Sequence, residues 1–339
     1  MPVPDHAATL RRFGRLLHAI AGLTLLLVLV GVIVRSTGSG LGCGTAGGWH
    51  DWPLCHGQLL PPATLDSILE FSHRAFAALV SLFLLGGAIW TAVTPVLRRT
   101  VGGALLATVG LLVLQIVLGA LTVRMLDDDA INPGFVVVHL ITAFTFFCTL
   151  VVLGLHALEL SKHATEGAGV PPAAPSPQAA ASLLQRIFFL VTFSATFFQI
   201  ILGGLVANLG ASMACPEFPT CAGGVLIPTL SGDIGLQIVH RIGAVAVSAL
   251  IFALPFVLGG DTGSLRRMSR VAIGLVLAQF ALGVATVLLG LPLMARALHH
   301  VVAYALLGTL AGIGYKIFAS PQRETRVAEV ETGATFATR

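Results

Sequence analysis

Apolar residues in this chain come in long, nearly unbroken runs rather than at amphipathic spacing. Eight runs stand out, at about residues 13–35, 69–94, 101–123, 134–158, 184–207, 236–258, 268–290 and 293–318. A bilayer core takes roughly 20 apolar residues wound as a helix. Each run therefore predicts a spanning helix, and the fold class is all-α integral membrane. The first run is too long for a cleavable signal peptide, and Val34-Arg35-Ser36-Thr37-Gly38 has no small-x-small cleavage site.

The runs repeat. Gly31, Val34, Gly38 and Cys43 recur at Gly203, Val206, Gly210 and Cys215, a constant offset of 172. Gln-x-x-Leu-Gly occurs at Gln115–Gly119 in the third run, at Gln199–Gly203 in the fifth and at Gln279–Gly283 in the seventh. Such a motif suits helix packing in lipid, where glycine permits close approach and glutamine bonds across the contact. His73-Arg74 in the second run matches His240-Arg241 in the sixth, and His139-x-x-x-Ala143 matches His299-x-x-x-Ala303. Eight helices thus form two pseudo-symmetric four-helix bundles. With an even number of helices each, the halves share one orientation and relate by an axis along the membrane normal. The stretch 163–182 is rich in Pro, Ala and Ser and reads as a flexible linker. The expected organisation is a first half at 1–160, a linker at 161–183, a second half at 184–320 and a disordered tail at 321–339.

Composition agrees with the pattern. Hydrophobic residues make up 56% of the chain and charged residues only 10%, against about 25% in a soluble domain. The mean hydropathy of +0.93 requires lipid as the solvent. Basic residues fall in small clusters, which excludes a nucleic-acid surface. Fourteen of the 19 lie in the termini or the even-numbered connections: Arg11, Arg12, Arg15, Arg98, Arg99, Lys162, Arg186, Arg266, Arg267, Arg270, Lys316, Arg323, Arg326 and Arg339. That face is the cytoplasm by the positive-inside rule, so both termini are cytoplasmic and the chain is a multi-pass protein of the cell (plasma) membrane. Asp51, Asp66, Asp127, Asp128, Asp129 and Asp233 mark the outer loops.

Four of the five cysteines lie in outer loops, Cys43 with Cys55 and Cys215 with Cys221. The outer compartment is oxidising, and this favours Cys43–Cys55 and Cys215–Cys221 disulfides. A metal site is the rival reading, since His50 and His56 flank the first pair. Cys148 reads as a packed apolar residue.

Ionisable residues inside spanning helices are costly and point to function. His73, His139, His240 and His299 each follow the outer end of their helix by a few residues. A rise of about 1.5 Å per residue puts them roughly 6–10 Å below the outer interface. Each half thus offers two imidazoles at one depth, which suits axial ligation of haem iron. Arg74 and Arg241 lie beside them, and arginine suits the propionate carboxylates; Arg35, Arg124 and Arg296 ring the same level. Structural hydrogen bonding, zinc or a proton relay are the competing uses. His300 adjoins His299, and His299 is preferred because its spacing to Ala303 mirrors that of His139 to Ala143. Glu70 sits one turn before His73, whereas the equivalent residue is Gln237. The difference suggests that one half performs chemistry; the alternative is an i, i+4 ion pair between Glu70 and Arg74.

The stretch Arg35-Ser36-Thr37-Gly38-Ser39-Gly40-Leu41, then Asp51-Trp52-Pro53-Leu54-Cys55, Pro61-Pro62 and Glu70-x-x-His73-Arg74, resembles haem A synthase. His139, His240-Arg241 and His299 fit the same family, and the resemblance covers residues 13–318. Eleven residues separate the first cysteine pair, with a Gly-rich insert, where the family commonly has fewer. The resemblance implies oxidation of the C8 methyl of haem O to a formyl group, by two hydroxylations and loss of water, making haem A for cytochrome oxidase. It implies substrate haem on His73 and His139, Glu70 as the catalytic carboxylate, and electron-passing haem B on His240 and His299. The electron donor is not indicated; a haem O synthase and a second copy of the chain are candidate partners. The alternative functions are a b-type cytochrome that only carries electrons and a cofactor-free transporter.

Overall fold

The computed structural model describes residues 5–44, 54–124, 126–127, 130–166, 181–259 and 263–319, and side chains within 123–131 and 165–166 are left aside. Asp51-Trp52-Pro53, His50, Asp128, Asp129, most of the linker and the tail at 321–339 lie outside the described residues. So do the side chains of Arg124 and Asp127.

Nine α-helices form among the described residues. They are α1 (His6–Thr37), α2 (Leu65–Val93), α3 (Pro95–Thr100), α4 (Gly102–Arg124), α5 (Pro133–Glu166), α6 (Leu183–Asn208), α7 (Gly232–Leu258), α8 (Gly263–Leu288) and α9 (Leu293–Phe318). All but α3 are long and apolar enough to cross a membrane. The protein is a multi-pass membrane protein, and many large apolar side chains face outward, among them Phe256 at 86% exposure.

Several helices extend past their apolar runs because capping sets their ends. The α1 helix starts at His6, where Asp5 accepts a hydrogen bond from the Ala8 N–H at 2.8 Å. It stops at Gly38, whose φ of 75° is left-handed, and the repeat-matched Gly210 takes φ 81° after α6. The α6 helix opens with a capping box between Ser182 and Gln185. A two-residue antiparallel pairing, Leu126–Asp127 with Ala130–Ile131, turns the chain between α4 and α5.

The contacts take the same form in both halves of the chain. The α1 helix packs on α2 and α5, and α4 on α5 and α2; equivalently α6 packs on α7 and α9, and α8 on α9 and α7. Between halves α5 meets α9, α1 meets α9 and α6 meets α5. The α9 helix is therefore the most enclosed of the eight. At the central seam Phe144 of α5 stacks on Tyr304 of α9, with centroids 3.8 Å apart and both side chains 1% exposed. Each lies five residues past its half's repeat-matched histidine, so the two are equivalents that touch across the seam.

Candidate functional site

The four histidines occupy matched registers. His73 and His240 are each the ninth residue of their helices, α2 and α7. His139 and His299 are each the seventh of theirs, α5 and α9. Every ring lies against a glycine of the helix that precedes it in sequence. A Cβ added to Gly31 would stand 2.9 Å from His73 Cε1, and one on Gly203 2.8 Å from His240 Cε1. The corresponding distances are 3.4 Å from Gly119 to His139 and 3.1 Å from Gly283 to His299. The absence of a side chain at these positions is what admits the imidazoles into the helix contact.

The glutamine one turn before each of three glycines reaches the same histidine. Gln115 Nε2 donates to the His139 carbonyl at 2.8 Å and to Thr142 Oγ1 at 2.7 Å. Gln199 Nε2 donates to the His240 carbonyl at 2.8 Å and lies 2.9 Å from Nδ1 of the ring. Gln279 Nε2 lies 3.0 Å from His299 Nε2, and His299 Nδ1 lies 3.1 Å from the Gln279 carbonyl oxygen. In α1 the same position is Leu27. The repeated motif is therefore packing with a specific object, since it places the histidines. His300 instead bonds back to its own helix, Nδ1 to the Arg296 carbonyl at 2.9 Å, which leaves the matched position to His299.

The residues fit a flat, iron-bearing ligand. Nδ1 of His73 and of His139 is buried without a hydrogen bond of ordinary geometry, although a buried polar atom normally has one. In the second half, His240 and His299 line one cavity of about 460 Å³ with a mostly apolar wall. Gln237, Arg241, Arg296 and His300 are among its polar groups. The cavity is not closed by the second half alone, because Leu140 and Phe144 of α5 complete its wall.

Beyond the histidines, the described residues around the cysteines are arranged alike in the two halves. Cys43 is bonded to Cys55 and Cys215 to Cys221, which excludes these cysteines as metal ligands. All four are fully buried. Glu70, 4% exposed, accepts the Cys43 N–H at 2.7 Å through Oε2 and pairs with Arg74 through Oε1. Gln237, 3% exposed, accepts the Cys215 N–H at 2.6 Å and donates to the Ser212 carbonyl at 2.9 Å. Arg74 Nη1 donates to the Leu54 carbonyl at 2.7 Å. Arg241 donates to the carbonyls of Thr220 and Cys215 at 2.9 and 2.6 Å. Both arginines thus fasten the disulfide loops to the helices that carry the histidines, a contact invisible in sequence. The i, i+4 ion pair of Glu70 and Arg74 is present.

The other histidines stay apart from these sites. His18 Nε2 lies 3.3 Å from the Val151 carbonyl oxygen and His156 bonds Tyr315 at 3.1 Å, both toward the opposite membrane face. Cys148 is free and packs on the core.

Comparison with known proteins settles the family. The model of the COX15-CtaA cytochrome oxidase assembly proteins matches residues 14–311. The chain belongs to that family. The match contains all four repeat-matched histidines, Glu70 and both disulfides. Among its relatives, the heme A synthase of Symbiobacterium thermophilum is 33% identical over 86% of this chain and 90% of its own length. Those of Shouchella clausii and Halalkalibacterium halodurans are each 30% identical, over 89% and 90% of this chain and 94% and 97% of theirs.

Proposed function

We propose that this chain is a haem A synthase, an oxidoreductase that converts the C8 methyl of haem O to the formyl group of haem A. Its family, and relatives of that name along nearly its whole length, support the reading. The observation that carries it at the site is the contrast between Glu70 and Gln237. Both make the same bond to a disulfide-loop N–H. A neutral amide is therefore sufficient for that anchoring, which leaves the negative charge at Glu70 to its ion pair with Arg74 and, in this reading, to chemistry on the substrate.

In this reading residues 1–160 hold the substrate haem on His73 and His139, and residues 184–320 hold haem B on His240 and His299, with 161–183 as the linker. When bound, haem B supplies one-electron redox capacity to the second half. Glu70, one turn outward of His73, is held in place by the Cys43 N–H and Arg74. A fixed carboxylate in a low-dielectric site stabilises positive charge developing on the methyl carbon, or takes up a proton there. Arg74 and Arg241 put positive charge at the outer rim, where propionates face water, while their hydrogen bonds keep the disulfide loops down as lids. The placement of 14 of the 19 basic residues supports a plasma-membrane protein with both termini cytoplasmic.

Glu70→Gln separates the two roles, because Gln237 shows the amide can keep the loop bond. Haem extracted from purified protein and resolved by chromatography and mass decides the outcome. Wild type is expected to carry haem B with haem O or haem A. The variant should keep haem B and an intact disulfide, and accumulate haem O or a hydroxylated intermediate. Undiminished haem A in the variant removes Glu70 from the chemistry. Haem B alone in both proteins, with no haem A made in cells supplied with haem O, favours the electron-carrying cytochrome.

A further inference from the structure

The cavity that joins His240 and His299 is lined by two guanidinium groups, Arg241 on α7 and Arg296 on α9. They are differently employed. Both terminal nitrogens of Arg241 donate to loop carbonyls, at 2.9 and 2.6 Å. Arg296 makes one long contact, Nη2 to the Ser36 carbonyl at 3.5 Å, and its Nε is buried with no partner. The ion pairs among the described residues use Arg74, Lys162 and Lys316, and none uses Arg296.

A cation so placed is unfavourable three times over. Its buried donor is unsatisfied. It is the fourth residue of α9, near the positive end of the helix dipole. It belongs to the few basic residues on the outer side, against the positive-inside bias. An anion inside the cavity would offset all three. Arg296 also precedes His299 by three residues, so the two side chains share a helix face, with Arg296 about 4.5 Å nearer the outer end. A flat ligand held by His299 with its acidic edge outward meets this guanidinium first. The equivalent position in the first half is Val136, three residues before His139.

We propose that Arg296 is the direct carboxylate anchor of the second-half site, binding a propionate of the haem there and making that site the retentive one of the two. This rests on the reading that haem B occupies His240 and His299. A guanidinium fork can hold a carboxylate through two hydrogen bonds, which lysine cannot reproduce. With Val136 in its place, the first half has no arginine at the equivalent position, in keeping with a site that must take up one haem and release another.

The test uses full-length protein purified with its own haem, and measures haem B transfer to excess apomyoglobin and the haem midpoint potential. Arg296→Gln is expected to release haem B at least tenfold faster and to shift the potential negative, because loss of a nearby cation favours the ferric state. Arg296→Lys should keep the potential near wild type yet release haem faster. Arg270→Gln, exposed on α8 and outside the lining of the cavity, should change neither. Wild-type release and potential in Arg296→Gln overturn the anchor while leaving the functional reading intact. Should that variant fail to accumulate, unchanged release in Arg296→Lys overturns it equally. A wild type without haem on His240 and His299 overturns the functional reading and the anchor together.

Discussion

Glycine at four positions leaves room for the candidate histidines in the helix contacts. The Cβ that alanine would add at Gly203 falls 2.8 Å from His240 Cε1, but at Gly119 it falls 3.4 Å from His139 Cε1. The first distance forces the imidazole to move, and the second is close to ordinary contact. Overpacking of this kind costs about 1–3 kcal/mol. Gly203→Ala should therefore displace His240 and lower bound haem B several-fold, measured as the pyridine haemochrome per protein, whereas Gly119→Ala should leave haem content near wild type. Equal effects from the two would mean that the glycines do not position the rings. In sequence, the Gln-x-x-Leu-Gly repeat is plain, yet its purpose is not, because nothing local says which neighbouring helix the glycine faces.

Loops and helix ends carry their own chemistry at the next scale. In the loop between α6 and α7 the Glu217 carboxylate accepts from Thr220 Oγ1 at 2.8 Å and from the N–H groups of Gly223 and Gly224 at 3.0 and 3.2 Å. The Thr220 hydroxyl first, then these amides, hold its pKa below the usual carboxylate range. A depressed folded-state pKa contributes stability above the unfolded value of about 4.3, lost as pH falls through the folded value. Amide exchange at Gly223 and Gly224, normalised to an unstructured reference, should thus be protected at neutral pH and speed up as pH falls below the unfolded value and through the folded one. Glu217→Gln should remove that pH dependence, and a variant that keeps it would assign the effect elsewhere. The helix ends show how far a run of apolar residues can be read. Asp5 starts α1 seven residues before its apolar run begins, because a side-chain cap, not hydropathy, satisfies the first N–H groups.

At the scale of the molecule the two halves meet through equivalent residues. Phe144 and Tyr304 stack across the seam, Phe147 packs edge-on against Tyr304 at 5.6 Å, and Arg35 bridges to Asn208 near the outer surface. Between helices in lipid such packing replaces the hydrophobic effect as the main attraction. Tyr304→Ala would empty a fully buried site, and by analogy with large aromatic truncations should cost about 3–5 kcal/mol. Thermal unfolding in detergent should show a clear loss for Tyr304→Ala and a small one for Tyr304→Phe, which keeps the stack. The second-half cavity should weaken alongside, because Phe144 is part of its wall. Unchanged stability and haem content in Tyr304→Ala would mean the halves are held by other contacts.

Eight apolar runs, a constant offset of 172, the basic clusters and four histidines in matched registers are local facts of the chain. They were sufficient for the spanning helices, the repeat, the matched registers of the histidines and the contrast between Glu70 and Gln237. The tertiary structure alone decided which glycine admits each ring and that Arg74 and Arg241 fasten the disulfide loops. It alone showed that Arg296 keeps a buried donor free beside a cavity, and that α5 of the first half walls the site of the second. The reason is physical. A helix apolar on every face carries no signal for its own rotation, so the partners of its few polar groups are settled only when the helices pack.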